Sequence, residues 1–544
     1  MGLTLISGCG LQLIGAVKKP STSSETVTED TTPEASPDPE PTTPVGTTRS
    51  VECADLPTNA EWNTHTSATQ TWNGTTWEPA DLSATYSLSP SATHCYFTCQ
   101  SGFGWAASAC QISGSLDISF GGTGSVTIGD TVTTQNLHAR HATVDSEGRI
   151  LLGYYNGSGA SQDIKVRRYL TDGTVDPSFN TSGLFTFAGP SGDQADYLWN
   201  MMVDSQDRPV IFGEIRNAST PVSFDALFMR LTTEGSLDTT VAGGSGYLIH
   251  DGASGTANLE DVSYYGIQDS SNRTIMVGFS TVTASTNYDA TIWRITETGS
   301  LDTTFNSSGF IKLANTAASN NLESFTGVTE DAQNRIIACG SGRNAAATPN
   351  YDWLVARYTE SGVLDTTFNA TGYMIQDSIL GATNGGDTCV RVKTNSAGQA
   401  IAGGYATNSS GNNDIVIVRY TETGTLDSTF GTSGKVVLSN IGGRSTSNDL
   451  FNDLFVDAQD RIYVTGQTQN ATNTDALLVR LTSDGALDTT FNTTGYVLFD
   501  SNPGVANYND TFRSISIDPL GRLVVLATVY NGATYTPVLK RYFP

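Results

Sequence analysis

The sequence predicts an all-β fold assembled from a repeated unit, and three observations carry that prediction. The phrase "TGSLDTTFNSSGF" at residues 298–310 recurs in variant form seven times. Its aspartates, Asp117, Asp176, Asp238, Asp302, Asp365, Asp427 and Asp488, stand 59 to 64 residues apart. Between them lie short Val/Ile/Leu/Tyr runs set off by Gly, Ser, Thr and Asp, the pattern of short strands and tight turns.

Periods in this range belong to solenoids and propellers. Each unit holds about four apolar runs: one before a polar turn such as "DAQNRI", one after it, one ending in arginine as in "DWLVARY", and one after the glycine that ends the opening phrase. Runs apolar at consecutive positions suit strands buried on both faces, as in blades stacked around an axis. The expected architecture is a seven-bladed β-propeller over residues 112–544. Its second landmark is the arginine series Arg168, Arg230, Arg294, Arg357, Arg419, Arg480 and Arg541, of which the first six each precede the next repeat aspartate by eight residues.

The two ends complement each other. Asp117 has no arginine eight residues before it, and Arg541 has no aspartate after it. If the N-terminal "GSLDISFGGTGSVTI" supplies what the C-terminal "TPVLKRYFP" lacks, one blade built from both ends closes the ring and leaves no exposed sheet edge.

The phrase G-x-L-D-x-x-F, the D-x-x-x-R-I turns and the R-Y strands, recurring in register through seven copies, resemble the delta-60 repeat family of bacterial β-propellers. The resemblance covers roughly residues 112–544. It implies the propeller fold and a cell-surface setting, with no settled activity. Two departures stand out: Val241 replaces the phenylalanine of the third unit, and Asn395 and Gln399 replace the Asp and Arg of one polar turn.

Upstream, Ile6, Ser7 and Gly8 before Cys9 resemble a bacterial lipobox, which implies acylation at Cys9. Residues 1–19 are read as a truncated lipoprotein signal and anchor region. Residues 20–50, crowded with Pro, Ser, Thr and Glu, cannot offset the entropy of folding and are read as a disordered tether. Residues 51–111 form a small cystine-rich module in which Cys53, Cys95, Cys99 and Cys110 allow three connectivities. Cys339 and Cys389 are expected to join neighbouring units. An even set of six cysteines beside Cys9 suits an oxidising compartment. The expected location is the outer membrane or cell surface as a lipoprotein, or the secreted space.

A formal charge of −26 disfavours nucleic acid, which needs a cationic footprint. The expected partner is an extracellular protein or glycan, with membrane contact through the lipid anchor alone and the chain a monomer. Position by position, the repeated Asp and Arg residues look architectural, as pairs that satisfy one another in a dry blade. A more suggestive series stands eight residues before each polar turn: Asp196, Asp261, Glu323, Asp387, Asp449 and Asp510, with Leu137 in the remaining unit. If these line one channel mouth, they form a candidate site for a cationic ligand or for Ca²⁺, which takes several oxygen ligands. The alternative is that each acid bonds backbone amides between blades.

No catalytic residue is assigned. GxSxG and HExxH are absent, and His138 and His141 stand an odd number of residues apart, which in a regular strand sends them to opposite faces. The reading is therefore a surface binding or display module. The alternatives are a propeller hydrolase or lyase acting on extracellular polysaccharide, and a purely structural adhesion component.

Overall fold

In a computed structural model of the chain, the described residues are 113–544 without 130–136, 157–161, 191–194, 218–222, 254, 256–258, 283–286, 314–321, 344–349, 383–384, 445, 502–508 and 531–533, together with the backbone of short strands between 48 and 112. Cys9, most of the 20–50 tether and the side chains of Cys53, Cys95, Cys99 and Cys110 lie outside the described residues.

Beyond residue 112 the strands run in antiparallel groups of four in which each strand pairs with its neighbour in sequence, except in the last group, and a single parallel pair, Thr474 with Asn509, joins the sixth group to the last. The only helical elements among the described residues are the 3-10 turns Phe179–Thr181 and Ala242–Gly244. One group comprises Asp261–Gln268, Thr274–Thr281, Tyr288–Ile295 and Phe310–Leu313. Its middle strands are buried on both faces. Ile275, Val277, Ala290 and Ile292 pack with Phe325, Ile336, Ala338 and Leu354 of the following group. Met276 and Trp293, which point the other way, pack with Phe212, Ala226 and Phe228 of the preceding one. Consecutive apolar residues are needed because neither face meets water.

The last group draws on both ends of the described chain. Ser125–Thr127 pairs antiparallel with Tyr535–Tyr542, setting Val126 opposite Leu539. Asp117 N donates to Arg541 O at 2.9 Å. The first group meets the last through Ala142 N, which donates to Ser514 Oγ at 2.9 Å. Elsewhere, a Cys339–Cys389 disulfide with Cα atoms 5.7 Å apart ties two successive groups together.

The repeated phrase forms a joint. Arg294, at the end of a third strand, sets its Nε 2.7 Å from Asp302 Oδ2. Its Nη2 donates to Thr304 Oγ1 at 3.0 Å, and its Nη1 donates to the carbonyl of Glu360 in the next unit. The guanidinium carbon lies 4.6 Å from the centre of the buried Phe305 ring. Equivalent Arg–Asp contacts of 2.7–2.8 Å recur in the other six units, Arg541 with Asp117 among them. Where Gln399 replaces the turn arginine, its Nε2 still reaches the joint, donating to Asp427 Oδ2 at 2.6 Å. A main-chain bond reinforces the seam: Asn306 N donates to Ser361 O at 3.1 Å, as Gly121 N does to Asp172 O at 2.8 Å. Asn306 and Gly121 have φ of 50° and 59°, which explains why Asn and Gly exchange here.

Each first strand also carries a β-bulge, at Arg140, Trp199, Tyr264, Thr326, Val390, Asn452 and Arg513. The bulge presses first-strand carbonyls onto the second strand. A Cβ on Gly278 would lie 1.7 Å from Val262 O, and one on Gly340 would lie 1.9 Å from Ser324 O. Glycine inside "IMVGFS" and "IIACGSG" is thus a steric requirement.

Two substitutions test these devices by urea unfolding. Asp302→Ala leaves the Arg294 guanidinium buried without its carboxylate and should cost about 3–5 kcal/mol. Gly278→Ala forces the bulged strand away and should cost ~2 kcal/mol or more.

Candidate functional site

The six acids singled out by spacing are all buried at the heads of the first strands. Four take amides from the connection that enters their own strand. Asp261 Oδ2 accepts from Gly252 N at 2.7 Å, Asp387 Oδ2 from Ile379 N at 3.1 Å, Asp449 Oδ2 from Asn440 N at 2.8 Å and Asp510 Oδ2 from Ser501 N at 2.5 Å. Asp196 and Glu323 occupy the same place. Their own amides donate to Gln162 O at 2.7 Å and Tyr288 O at 3.1 Å in the preceding group. Among the described residues no three His, Cys, Asp or Glu side chains converge as metal ligands would. Burial raises Asp196 to about 7 and Asp261 and Asp387 to about 6, because a carboxylate loses more hydration than a carboxylic acid.

A different set of side chains meets in the middle. Four residues before the polar turn, the units place His141, Asn200, Tyr265, Gly327, Arg391, Asp453 and Ser514, no two alike. Arg391 Nε lies 3.2 Å from Asp453 Oδ1, and its guanidinium carbon lies 4.4 Å from the centre of the Tyr265 ring. Lys393 Nζ donates to Tyr265 Oη at 3.0 Å, and His141 Nε2 lies 3.9 Å from Asp453 Oδ2. These contacts join the first, third, fifth and sixth groups, so the first strands border one shared space. That space is a cavity of about 390 Å³ whose walls include His141, Asn200, Tyr265, Lys393, Asp453 and Ser516.

Its electrostatics are unlike those of the acidic chain around it. Burial depresses His141 to about 4 in spite of Asp453, so the imidazole is neutral at pH 7. Burial also opposes the charge on Lys393, but Tyr265 and then Asp453 outweigh it and hold its pKa above the usual lysine value. Asp453 is already engaged: besides Arg391, its oxygens accept from Leu454 N at 2.9 Å and Ile515 N at 3.1 Å.

One residue earlier on each strand, the bulges display a second set. The Arg140 guanidinium carbon lies 4.3 Å from the centre of the Trp199 ring, and its Nη2 donates to Tyr155 Oη. Trp199 meets Tyr264 edge-on at 5.6 Å, and the aromatic contacts continue through Phe279 to Tyr288. On the other side His138 stacks on Tyr155 at 5.0 Å. Burial, and then Arg140, push Arg513 below the usual arginine value. The Nε atoms of Arg140 and Arg513 are buried without an acceptor.

Sequence reading did not single out Arg140, Trp199, Tyr264, Lys393 or Asp453. Their signal is variation between units at a fixed register, whereas a search for recurrence selects the residues that do not vary. The two histidines show a related effect. The bulge at Arg140 interrupts the alternation of the strand that bears His138 and His141, so strict opposite faces do not follow from their odd separation.

The acids fix a pH optimum. Asp196, Asp261, Asp387, Asp225 at about 6 and Glu214 at about 8 have folded pKa values raised by burial. Their stabilising contribution is complete below the unfolded value of about 4 and is lost as pH rises through 6 to 8. Burial opposes the charge on Asp427, yet hydrogen bonds from Thr429 and Gln399, and then Arg419, bring it down to about 2. Its contribution is lost as pH falls from about 4 through 2. The melting temperature, followed by circular dichroism, should peak at pH ~4–5 and decline on both sides.

Five stretches, residues 146–179, 270–305, 334–368, 398–430 and 460–491, match a family model described as a domain of unknown function (DUF5122) beta-propeller. Each runs from the polar turn of a unit to the residue at or beside the phenylalanine of its joint. No curated protein matches the chain. Among solved structures, a protein of unknown function from Dyadobacter fermentans is 12% identical with a TM-score of 0.38, over 77% of this chain and 100% of its own. Polysaccharide lyase Uly1 is 12% identical with a TM-score of 0.41, over 76% and 91%. The β-propeller domain of the Trilobed protease from Pyrococcus furiosus is 7% identical with a TM-score of 0.33, over 73% and 94%. Five of the repeats read from the residues thus match a β-propeller family model, and the scaffold is a β-propeller.

Proposed function

We propose that this chain is an exported, lipid-anchored binding module of the delta-60 type. It holds a closed seven-bladed propeller away from the bacterial surface on its tether and takes an extracellular glycan or protein, the glycan preferred, at the mouth bearing Arg140, Trp199 and Tyr264. Ring closure is supported by the pairing of Ser125–Thr127 with Tyr535–Tyr542, and anchoring by the lipobox-like residues before Cys9.

The observation that carries the reading is the cluster on the bulges. The joints repeat from unit to unit and serve the scaffold, whereas Arg140 on Trp199, with Tyr264 beside it, has no counterpart in the other units. Aromatic faces stack on sugar rings, and guanidinium groups donate to hydroxyls and carboxylates. Bulges re-aim side chains away from the regular strand, which suits such a surface.

A glycan array probed with the purified chain should give a defined set of hits, and Trp199→Ala should weaken them at least about tenfold with melting unchanged. An array without signal, or hits indifferent to Trp199, removes this mouth as the binding surface. Palmitate labelling of expressing cells should mark the chain and vanish in Cys9→Ser. A chain that never takes up label is not lipid-anchored.

A further inference from the structure

We infer that the axial cavity is a binding site for a small oxyanion, a carboxylate or its sulfate or phosphate equivalent, carried on a body no larger than a monosaccharide. The inference stands apart from the reading of the mouth, since it rests on other residues and a separate space.

Charge and hydrogen-bonding capacity lead to it. Two cations, Arg391 and Lys393, face one carboxylate, Asp453. Asp453 is committed to Arg391 and to two main-chain amides. Lys393 is left with a neutral phenol, since its Nζ donates to Tyr265 Oη at 3.0 Å. An ammonium carries three donors, of which this contact uses one; Asp453 also supports the Lys393 charge, but one carboxylate balances only one of the two cations. A neutral donor borders the same space. Asn200, 1% exposed, has an Nδ2 without an acceptor. Arg391, Lys393 and Asp453 together carry a net positive charge inside a chain of net charge −26. Water satisfies donors but brings no charge; an oxyanion supplies both.

Size admits the ligand class. At about 30 Å³ per water, a cavity of about 390 Å³ has room for roughly a dozen waters, ample for one sugar ring with its carboxylate. The register supports a built site. Lys393 stands where other units have Thr143, Met202, Ile267, Thr329, Phe455 and Ser516, so the repeat does not require a cation there.

The test is isothermal titration of the full chain with the sodium salts of acetate, glucuronate, sulfate and phosphate at matched ionic strength. One-site, saturable binding is expected for at least one of them. The carboxylate and inorganic arms tell which oxyanion the cavity prefers. Lys393→Met and Lys393→Gln should each weaken binding at least about tenfold, Asn200→Leu should weaken it less, and Trp199→Ala should leave it unchanged. Binding lost in Trp199→Ala but intact in both Lys393 variants would move the anion to the mouth and overturn the proposal. So would the absence of saturable binding by all four salts to the unsubstituted chain, whatever the variants do.

Discussion

A buried guanidinium gripping a buried carboxylate, and reaching past it to the main chain of the next unit, is the contact on which everything else depends. Arg294 bonds Asp302 and Thr304 within its own unit, lies over Phe305, and donates from Nη1 to the Glu360 carbonyl beyond the seam. Each group of strands is a thin sheet with two dry faces and no core of its own. Hydrophobic contact between neighbouring sheets is strong but has no direction. The Arg–Asp joint supplies the direction, because a planar fork of donors accepts only one arrangement of oxygens. Its cost in desolvation is offset by making several hydrogen bonds at once.

That rigidity frees the first strands. In most units their outer contacts are fixed by the bulge, by a glycine opposite it such as Gly278 or Gly340, and by a buried acid such as Asp261 or Asp387 that holds the incoming connection. The first unit has Tyr154 and Leu137 in these places, and the last has Ala527 opposite its bulge. The positions facing the axis are then under no common constraint, and the seven units fill them with seven different residues. Charge of both signs, a phenol and an imidazole meet there from different sheets, which no single unit encodes. The mouth and the cavity are products of the assembly, while the joints are products of the unit.

This division explains how much was legible in the sequence. Asp117 through Asp488, the arginines eight residues before them and the glycines of the turns recur, so strand order, group size and the Arg–Asp pairing follow from spacing. The shared last group was legible too, from a missing arginine at one end and a missing aspartate at the other. Arg140, Trp199 and Lys393 were not, because their meaning depends on which residues stand at the same register in distant units. The acids Asp261 and Asp387 were conspicuous by recurrence, and they accept Gly252 N and Ile379 N.

The strand Ser125–Thr127, laid against Tyr535–Tyr542, is also the point at which the propeller hands its chain to whatever precedes it. Any pull on the N-terminal side of residue 113 first meets Ser113, which accepts from Asn492 N and Arg480 Nη1 at 2.9 Å, then Gly114 and Ser115 on Phe543, and then Asp117, gripped by Arg541 and Arg522 at 2.8 and 3.1 Å. Force is therefore delivered to the contacts that join this stretch to the last two groups. In mechanical terms, the joint that recurs for assembly serves in this one copy as a latch.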